Sequence, residues 1–245
     1  MSTILNLFIE SFLFEQKNFW SNIEILKDIS SNTVAYWGDL DEPEVSWSDV
    51  FSNPQKYKRF FIELSRIKDL QTNKVDKILG AGLEGLALKL DNGHVLKVAT
   101  PFRNKYEGMP QRMEIKYKDK LRKKQQGFST ENDLNVHSAQ RYATTMEELV
   151  PYHVYDKSLS KEDRYDLDAA VTTMLKIENS FQGEFNELVE KLKAAAQKIS
   201  NNKFAKPILS AILNEILKDE KVDLHPGNLG VRIVDNKPVF VFFDF

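Results

Sequence analysis

The sequence predicts an α+β protein with an N-terminal helical extension, an antiparallel sheet and a minimal, mainly helical C-terminal part. Three observations predict it. Residues 75–99 read as three short strands joined by a Gly-rich turn and by Asp91-Asn92-Gly93, a strong hairpin signal. Residues 184–199 and 206–219 repeat their apolar positions at helical spacing. The chain then runs through Asp223-Leu224-His225-Pro226-Gly227-Asn228-Leu229-Gly230 into strands that end at Asp244-Phe245.

Composition narrows the classes. At 245 residues the chain is long enough for one large domain or two lobes with a core. A net charge of -2 exerts no general pull on nucleic acid or anionic membrane, so neither is an expected partner. The absence of cysteine excludes disulfides, thiolate catalysis and cysteine-ligated metals. The four histidines, at 94, 137, 153 and 225, lack zinc-ligand spacing. No apolar run approaches the roughly 20 residues of a membrane helix, and no basic region or small-residue cleavage site marks a signal peptide. A cytoplasmic protein is expected.

In chain order, Ile4, Phe8 and Phe12 share a helical stripe with Leu5, Ile9 and Leu13 beside it, a width that suits burial on more than one side. A packing helix is the plain reading of this segment; a docking segment for a partner is the sharper one. Residues 31–53, with Gly38, Pro43 and acids at 39, 41, 42 and 44, read as an ordered loop. Pro54 suits the first turn of a helix to about Lys68, with Tyr57, Phe60, Phe61, Leu64 and Ile67 on its apolar face. The strands 75–79, 86–90 and 94–99 follow. Residues 103–124 carry nine basic side chains against three acids, either a solvated face or a surface for a phosphate-rich or acidic substrate. Ser129-Thr130-Glu131 reads as the start of a helix to about Leu149. Strands are expected at 151–155 and within 168–175, and again at 230–233 and 239–243 around Asp235-Asn236-Lys237-Pro238.

Phosphoryl transfer from a nucleotide needs glycine where backbone amides approach phosphate, a cation on the phosphates, hard oxygen ligands for magnesium and an acid that orients the attacking hydroxyl. Gly80-Ala81-Gly82 and Gly85 lie between two strands, which argues against a dinucleotide-binding turn that opens a helix. Lys97 supplies a cation in the third strand, although a strand lysine taken alone is more often a solvated edge residue. Asp223 is a candidate base, and Asn228 and Asp244 are candidate metal ligands. An acid that follows Val239-Phe240-Val241-Phe242-Phe243 sits at the edge of a buried strand, where it needs a partner or a metal. His225 reads as a loop residue near the phosphates.

A glycine loop, a strand lysine, Asp-Leu-x-x-x-Asn and an apolar strand ending in Asp-Phe follow the order of the kinase signature set. Over residues 75–245 the chain resembles the protein-kinase-like superfamily. Its Asp223–Asn228 loop is especially similar to that of aminoglycoside phosphotransferases and choline kinases. The resemblance implies a bilobal fold with ATP and Mg²⁺ in the cleft and boundaries of 1–73 for the extension, 74–175 for the N-lobe with the basic insertion 103–124, and 176–245 for a short C-lobe. It implies that Leu79, Ala87 and Val95 sandwich the adenine and that Met174, Leu175 and Ile177 lie at the lobe connection. Lys97 would hold the phosphates, paired with a helix acid; Glu131 is the choice, with Asp133 and Glu114 behind it.

Two departures stand out. Lys221-Val222 replaces the usual His-Arg before the catalytic Asp, and the sequence ends at Phe245, before the expected activation segment. The implied activity is ATP–Mg²⁺-dependent transfer to a hydroxyl, a protein Ser/Thr slightly ahead of a small molecule. A pseudokinase that binds nucleotide and contacts a partner through residues 1–70 is the alternative. A structural protein that keeps the fold without nucleotide is the third reading.

Overall fold

The computed structural model describes residues 19–28, 34–36, 44–82, 85–99, 109–140, 142–217 and 224–243. They form two compact units, one from described residues among 1–128 and 135–148, the other from 129–134 and 149–244. The fold is α+β, as expected. The expected boundaries differ from this division. The helical extension shares one core with the sheet, and the chain leaves the first unit between Glu148 and Leu149 rather than near residue 175.

The first unit is built on a five-stranded antiparallel sheet. Its strands are β3 (Val75–Gly82), β4 (Gly85–Leu90), β5 (His94–Ala99), β6 (Val136–Ala139) and β7 (Ala143–Glu147), in the spatial order β3-β4-β5-β7-β6. Gly93, at φ +81°, makes the turn between β4 and β5, a conformation that glycine adopts without strain. Helix α5 (Met109–Gln125) connects β5 to β6 in the chain and brings the buried Tyr117 into the unit.

One face of this sheet meets the N-terminal helices. These are α1, helical over 19–26, α2 (Trp47–Ser52), α3 (Lys58–Leu64) and α4 (Lys68–Thr72), with a small hairpin of β1 (Val34–Tyr36) and β2 (Glu44–Ser46). Leu86, Leu88, Leu90, Leu96 and Val98 from the sheet join Phe19, Ile23, Leu26, Trp47, Phe51, Phe60 and Leu70 in a single core. The apolar face expected for 54–68 is buried at all five positions. Trp47 and Phe51 stack at 5.8 Å, and Phe60 and Phe61 meet edge to face at 5.8 Å; such pairs add about 0.5–1.5 kcal/mol each beyond area burial. The span read as a loop before Pro54 thus holds two strands and α2. Ile4, Phe8 and Phe12 lie outside the described residues.

The second unit packs α6 (Tyr152–Ser158), α7 (Lys161–Ser180), α8 (Phe185–Lys198) and α9 (Ala205–Ile216) with a three-stranded sheet of β8 (Val150–Pro151), β9 (Leu229–Val234) and β10 (Lys237–Phe242). Helices α8 and α9 and the β9–β10 hairpin stand where the sequence placed them. Asp235 and Asn236, at φ 48° and 62°, form the hairpin turn, and two successive positive φ values are those of the favoured two-residue type.

Three expected elements are corrected. The helix expected over 129–149 is a turn followed by β6 and β7. The Asp133 carboxylate accepts from the Thr130 N–H at 2.6 Å, and the Asp133 N–H donates to the Thr130 carbonyl at 3.0 Å. This turn starts like a helix and is then pulled into the sheet by pairing of β7 with β5. The strand expected at 151–155 is only β8, after which Pro151 caps α6. The strand expected within 168–175 lies inside α7. The Ser160 hydroxyl caps this helix by accepting from the Asp163 N–H at 3.1 Å, and Leu167, Ala170, Val171, Met174 and Leu175 are buried at helical spacing. Burial of one helical stripe outweighs the strand preference of Val171-Thr172-Thr173.

Candidate functional site

The candidate phosphate-binding residues come together in the first unit. Strand register aligns Gly80 with Ala87, Ala87 with Lys97, Lys97 with Thr144 and Thr144 with Ala139. Directly opposed residues project from the same face of a sheet. One row therefore crosses all five strands, and in it a single long side chain, Lys97, is flanked by glycine, alanine and threonine. Val95, two residues before Lys97, shares its face. The next row, Ile78, Leu88, Leu96 and Thr145, faces the helical core instead.

Lys97 lies in the central strand and is 4% exposed. That excludes the solvated-edge reading. Burying an ammonium is costly unless opposite charge or a polar ligand compensates it, so such a position is informative. Ala87 and Val95 are buried beside it, while Leu79 is 37% exposed where the β3–β4 register shifts between Ile78 and Gly80.

The glycines divide by cause. A Cβ on Gly85 would lie 2.3 Å from the Val98 carbonyl oxygen, so close approach of β4 to β5 requires glycine there. A Cβ on Gly80 or Gly82 would meet nothing within 4 Å, and neither has a positive φ. Packing and backbone conformation leave those two glycines unexplained. Close approach of a ligand to a strand is one condition that calls for glycine. Ala81, between them, turns to the helical core.

The candidate metal-binding residues belong to the second unit. Pro226–Asn228 form a short 3-10 turn opened by His225, whose Nδ1 accepts from the Gly227 N–H at 3.0 Å. The exposed His225 thus shapes the loop through its own backbone. Leu224 and Leu229 are buried on either side and anchor the loop in the core. The Asn228 carbonyl accepts from the Phe243 N–H at 2.8 Å, which ties the loop to the end of β10. Asn228 and the residue before Asp244 are therefore neighbours. Gly230 is enforced by packing, since a Cβ there would lie 2.6 Å from the Phe243 ring and 2.7 Å from Leu149. Asp223 and Asp244, like Lys221 and Val222, lie outside the described residues.

Two groups of expected site residues are not where the sequence reading put them. Met174 and Leu175, 0% and 5% exposed, and the half-buried Ile177 belong to α7 and the core of the second unit, so they are not a lobe connection. The crossing into the second unit is between Glu148 and Leu149 instead. Its signal was Pro151, which stops a strand and starts a helix. Glu131 opens no helix. It sits in the 129–134 segment of the second unit, where its carbonyl accepts from Arg232 and its side chain is exposed. The neighbouring residues are fastened to the same unit. Asn132 donates to the Phe240 carbonyl at 2.8 Å and accepts from Ser210 at 2.9 Å, and Thr130 donates to Asn214 at 2.8 Å. The helix that follows the lysine strand in the chain is α5, which carries Glu114 and Asp119. Asp119 is held below the usual carboxylate range by Lys123 and Arg122 on its own helix.

Among the described residues no cluster of His, Asp or Glu can hold a metal by itself, and no helix is long and apolar enough to cross a membrane.

Comparison with solved structures returns aminoglycoside phosphotransferases. ADP-bound APH(2'')-Ib matches with 14% identity and a TM-score of 0.33, covering 76% of this chain and 69% of that one. The streptomycin–ATP ternary complex of APH(2'')-IIa matches with 14% identity and a TM-score of 0.34, covering 78% and 69%. The gentamicin complex of APH(2'')-IIa matches with 13% identity and a TM-score of 0.32, covering 78% and 68%. No family model and no curated protein matches the chain.

Proposed function

We propose that the protein is an ATP–Mg²⁺-dependent phosphotransferase that moves a γ-phosphoryl group to a hydroxyl acceptor. The observation that carries this reading is the row Gly80, Ala87, Lys97, Thr144, Ala139, a small-residue surface with one buried ammonium in its middle. Ala87 and Val95 offer an apolar face to a base, Gly80 and Gly82 let phosphate approach the backbone, and Lys97 neutralises phosphate charge.

An amide at Asn228 and a carboxylate at Asp244 are residue types that magnesium takes as hard oxygen ligands. Asp244 itself lies outside the described residues; the bond from the Phe243 N–H to the Asn228 carbonyl holds the end of β10 against the loop. Bound there, magnesium would neutralise charge on the transferring phosphates. Asp223 would accept the acceptor hydroxyl's proton, and the buried Leu224 next to it fixes the start of its loop.

The test has two stages. Melting temperature is measured with ATP, with and without Mg²⁺, since a ligand of the native state raises stability by mass action. No shift at millimolar nucleotide would sink the reading. Labelled phosphate is then followed onto Ser/Thr protein mixtures and onto small polyhydroxylated amines. Transfer that survives Asp223→Ala overturns the role given to Asp223. Metal-dependent stabilisation with no transfer to either acceptor class selects a nucleotide-binding module.

A further inference from the structure

Strand β3 carries Gly80 and Gly82 yet has little to hold it. It lies at the edge of the sheet, where β4 is its one strand neighbour among the described residues. Of its eight residues only Val75 is buried, with Ile78 and Ala81 packed partly against the core. Two glycines near its tip leave the backbone with few steric limits. Such a strand end frays unless something outside the sheet holds it.

Side chains of the N-terminal layer hold it at both ends. At its start the Asn22 Oδ1 accepts from the Val75 N–H at 2.8 Å. At its tip the Trp47 indole N–H donates to the Gly82 carbonyl at 3.0 Å. Trp47 is itself immobilised, 0% exposed and packed against Phe51 at 5.8 Å and Phe60 at 6.2 Å. The donor is therefore rigid, and the strand end is the part that would move.

We propose that Trp47 is a positioning residue for nucleotide, fixing the tip of the glycine strand through the Gly82 carbonyl so that the Gly80–Gly82 backbone is set for phosphate. The proposal rests on the phosphotransferase reading and gives the N-terminal layer a part in it. The layer acts on ligand binding through one hydrogen bond, in addition to closing the core.

Three variants test it: Trp47→Phe, the protein with β-(3-benzothienyl)alanine at position 47, and Phe60→Leu. The second keeps the indole shape and removes only the N–H, so it remains informative if Trp47→Phe folds poorly. Phe60→Leu loosens the same aromatic cluster without touching the strand. Each is titrated calorimetrically with ATP and Mg²⁺, and amide exchange is followed at residues 78–82. Loss of one hydrogen bond that orders the site weakens ATP binding roughly three- to tenfold in both position-47 variants and speeds exchange at the tip. Phe60→Leu lowers the melting temperature and leaves the affinity alone. Wild-type affinity in the benzothienyl variant overturns the proposal while the nucleotide reading stands. A wild-type protein that does not bind ATP sinks the nucleotide reading and the role of Trp47 with it. Unchanged exchange at 78–82 overturns the tether whatever the nucleotide result.

Discussion

The Asn228 carbonyl accepts the Phe243 N–H at 2.8 Å, so the loop and the strand end on the far side of the β9–β10 hairpin share one hydrogen bond. The bond uses backbone atoms only. It therefore survives replacement of the Asn228 side chain, which separates the loop's architecture from its chemistry. Asn228→Ala is expected to cost no more than about 1 kcal/mol of apo stability. If Asn228 holds metal as proposed, the variant should also lose any stabilisation that Mg²⁺ gives over ATP alone; a ligand at a hundred times its Kd stabilises by about 2.7 kcal/mol in total. Differential scanning fluorimetry of the apo and ATP–Mg²⁺ forms reads both. A full Mg²⁺-dependent shift in the variant would remove Asn228 from the metal site.

The glycines of the β3–β4 hairpin offer a sharper contrast. Gly85→Ala drives a Cβ to 2.3 Å from the Val98 carbonyl oxygen and should cost about 1–3 kcal/mol through overpacking. Gly80→Ala meets nothing and should leave stability within about 0.5 kcal/mol of wild type. Its effect belongs to the ligand, with ATP affinity falling roughly tenfold, equivalent to 1.4 kcal/mol. Urea titration and calorimetric titration of the two variants should therefore give opposite rankings. Equal rankings would mean that Gly80 is as structural as Gly85.

Asn22 is the polar centre of the first unit's core. It is 0% exposed, donates to the Leu70 and Asn73 carbonyls at 2.9 Å each, and accepts from the Val75 N–H. Asn22→Leu would strand a donor and two acceptors, and each buried unsatisfied group costs about 1–3 kcal/mol. A loss of about 3 kcal/mol is expected by chemical denaturation, above the usual range for a surface change. Asn22→Asp should be no better, because a carboxylate cannot donate to the two carbonyls. A near-neutral result for either variant would show that the helical layer does not depend on this clip.

These cases also show what the sequence could and could not reveal. Local signals placed β3–β5, α8, α9 and the β9–β10 hairpin, because Asp91-Asn92-Gly93, Asp235-Asn236 and two clean amphipathic stripes are decided within a few residues. The span 129–149 failed because its outcome is decided elsewhere. Thr144 and Thr145 are buried in β7 only because β5 and β6 flank it, and Asp69 on α4 accepts from Thr145 at 2.7 Å. Met174 failed for the opposite reason, since β-branched neighbours suggested a strand while burial at helical spacing was already visible in Leu167, Val171 and Met174. Lys97 was legible as a candidate from the glycines upstream. Its burial, which separates it from an ordinary strand lysine, depends on β7 and so on a strand that the sequence reading did not contain. Trp47 gave no signal at all, because a tryptophan that packs and one that also donates to a strand look alike in sequence.

The stack of His94 on His137 is expected to make the first unit sensitive to acid. The rings lie 4.0 Å apart at an interplanar angle of 15°. Desolvation, first, then the charge of His94 and of Lys124 from α5 lower the pKa of His137 below its ordinary 6.5, against the opposing pull of Glu147 on β7 and Asp69 on α4. A histidine with a depressed native pKa binds its proton more readily in the unfolded chain. Its contribution to stability is therefore complete above about pH 6.5 and is lost as pH falls through the lower native value. His137→Phe keeps an aromatic ring against His94 and removes the titration. Its melting temperature should match wild type near pH 8 and fall less steeply on acidification to about pH 5. Parallel curves for the two proteins would show that the acid sensitivity of the fold arises elsewhere.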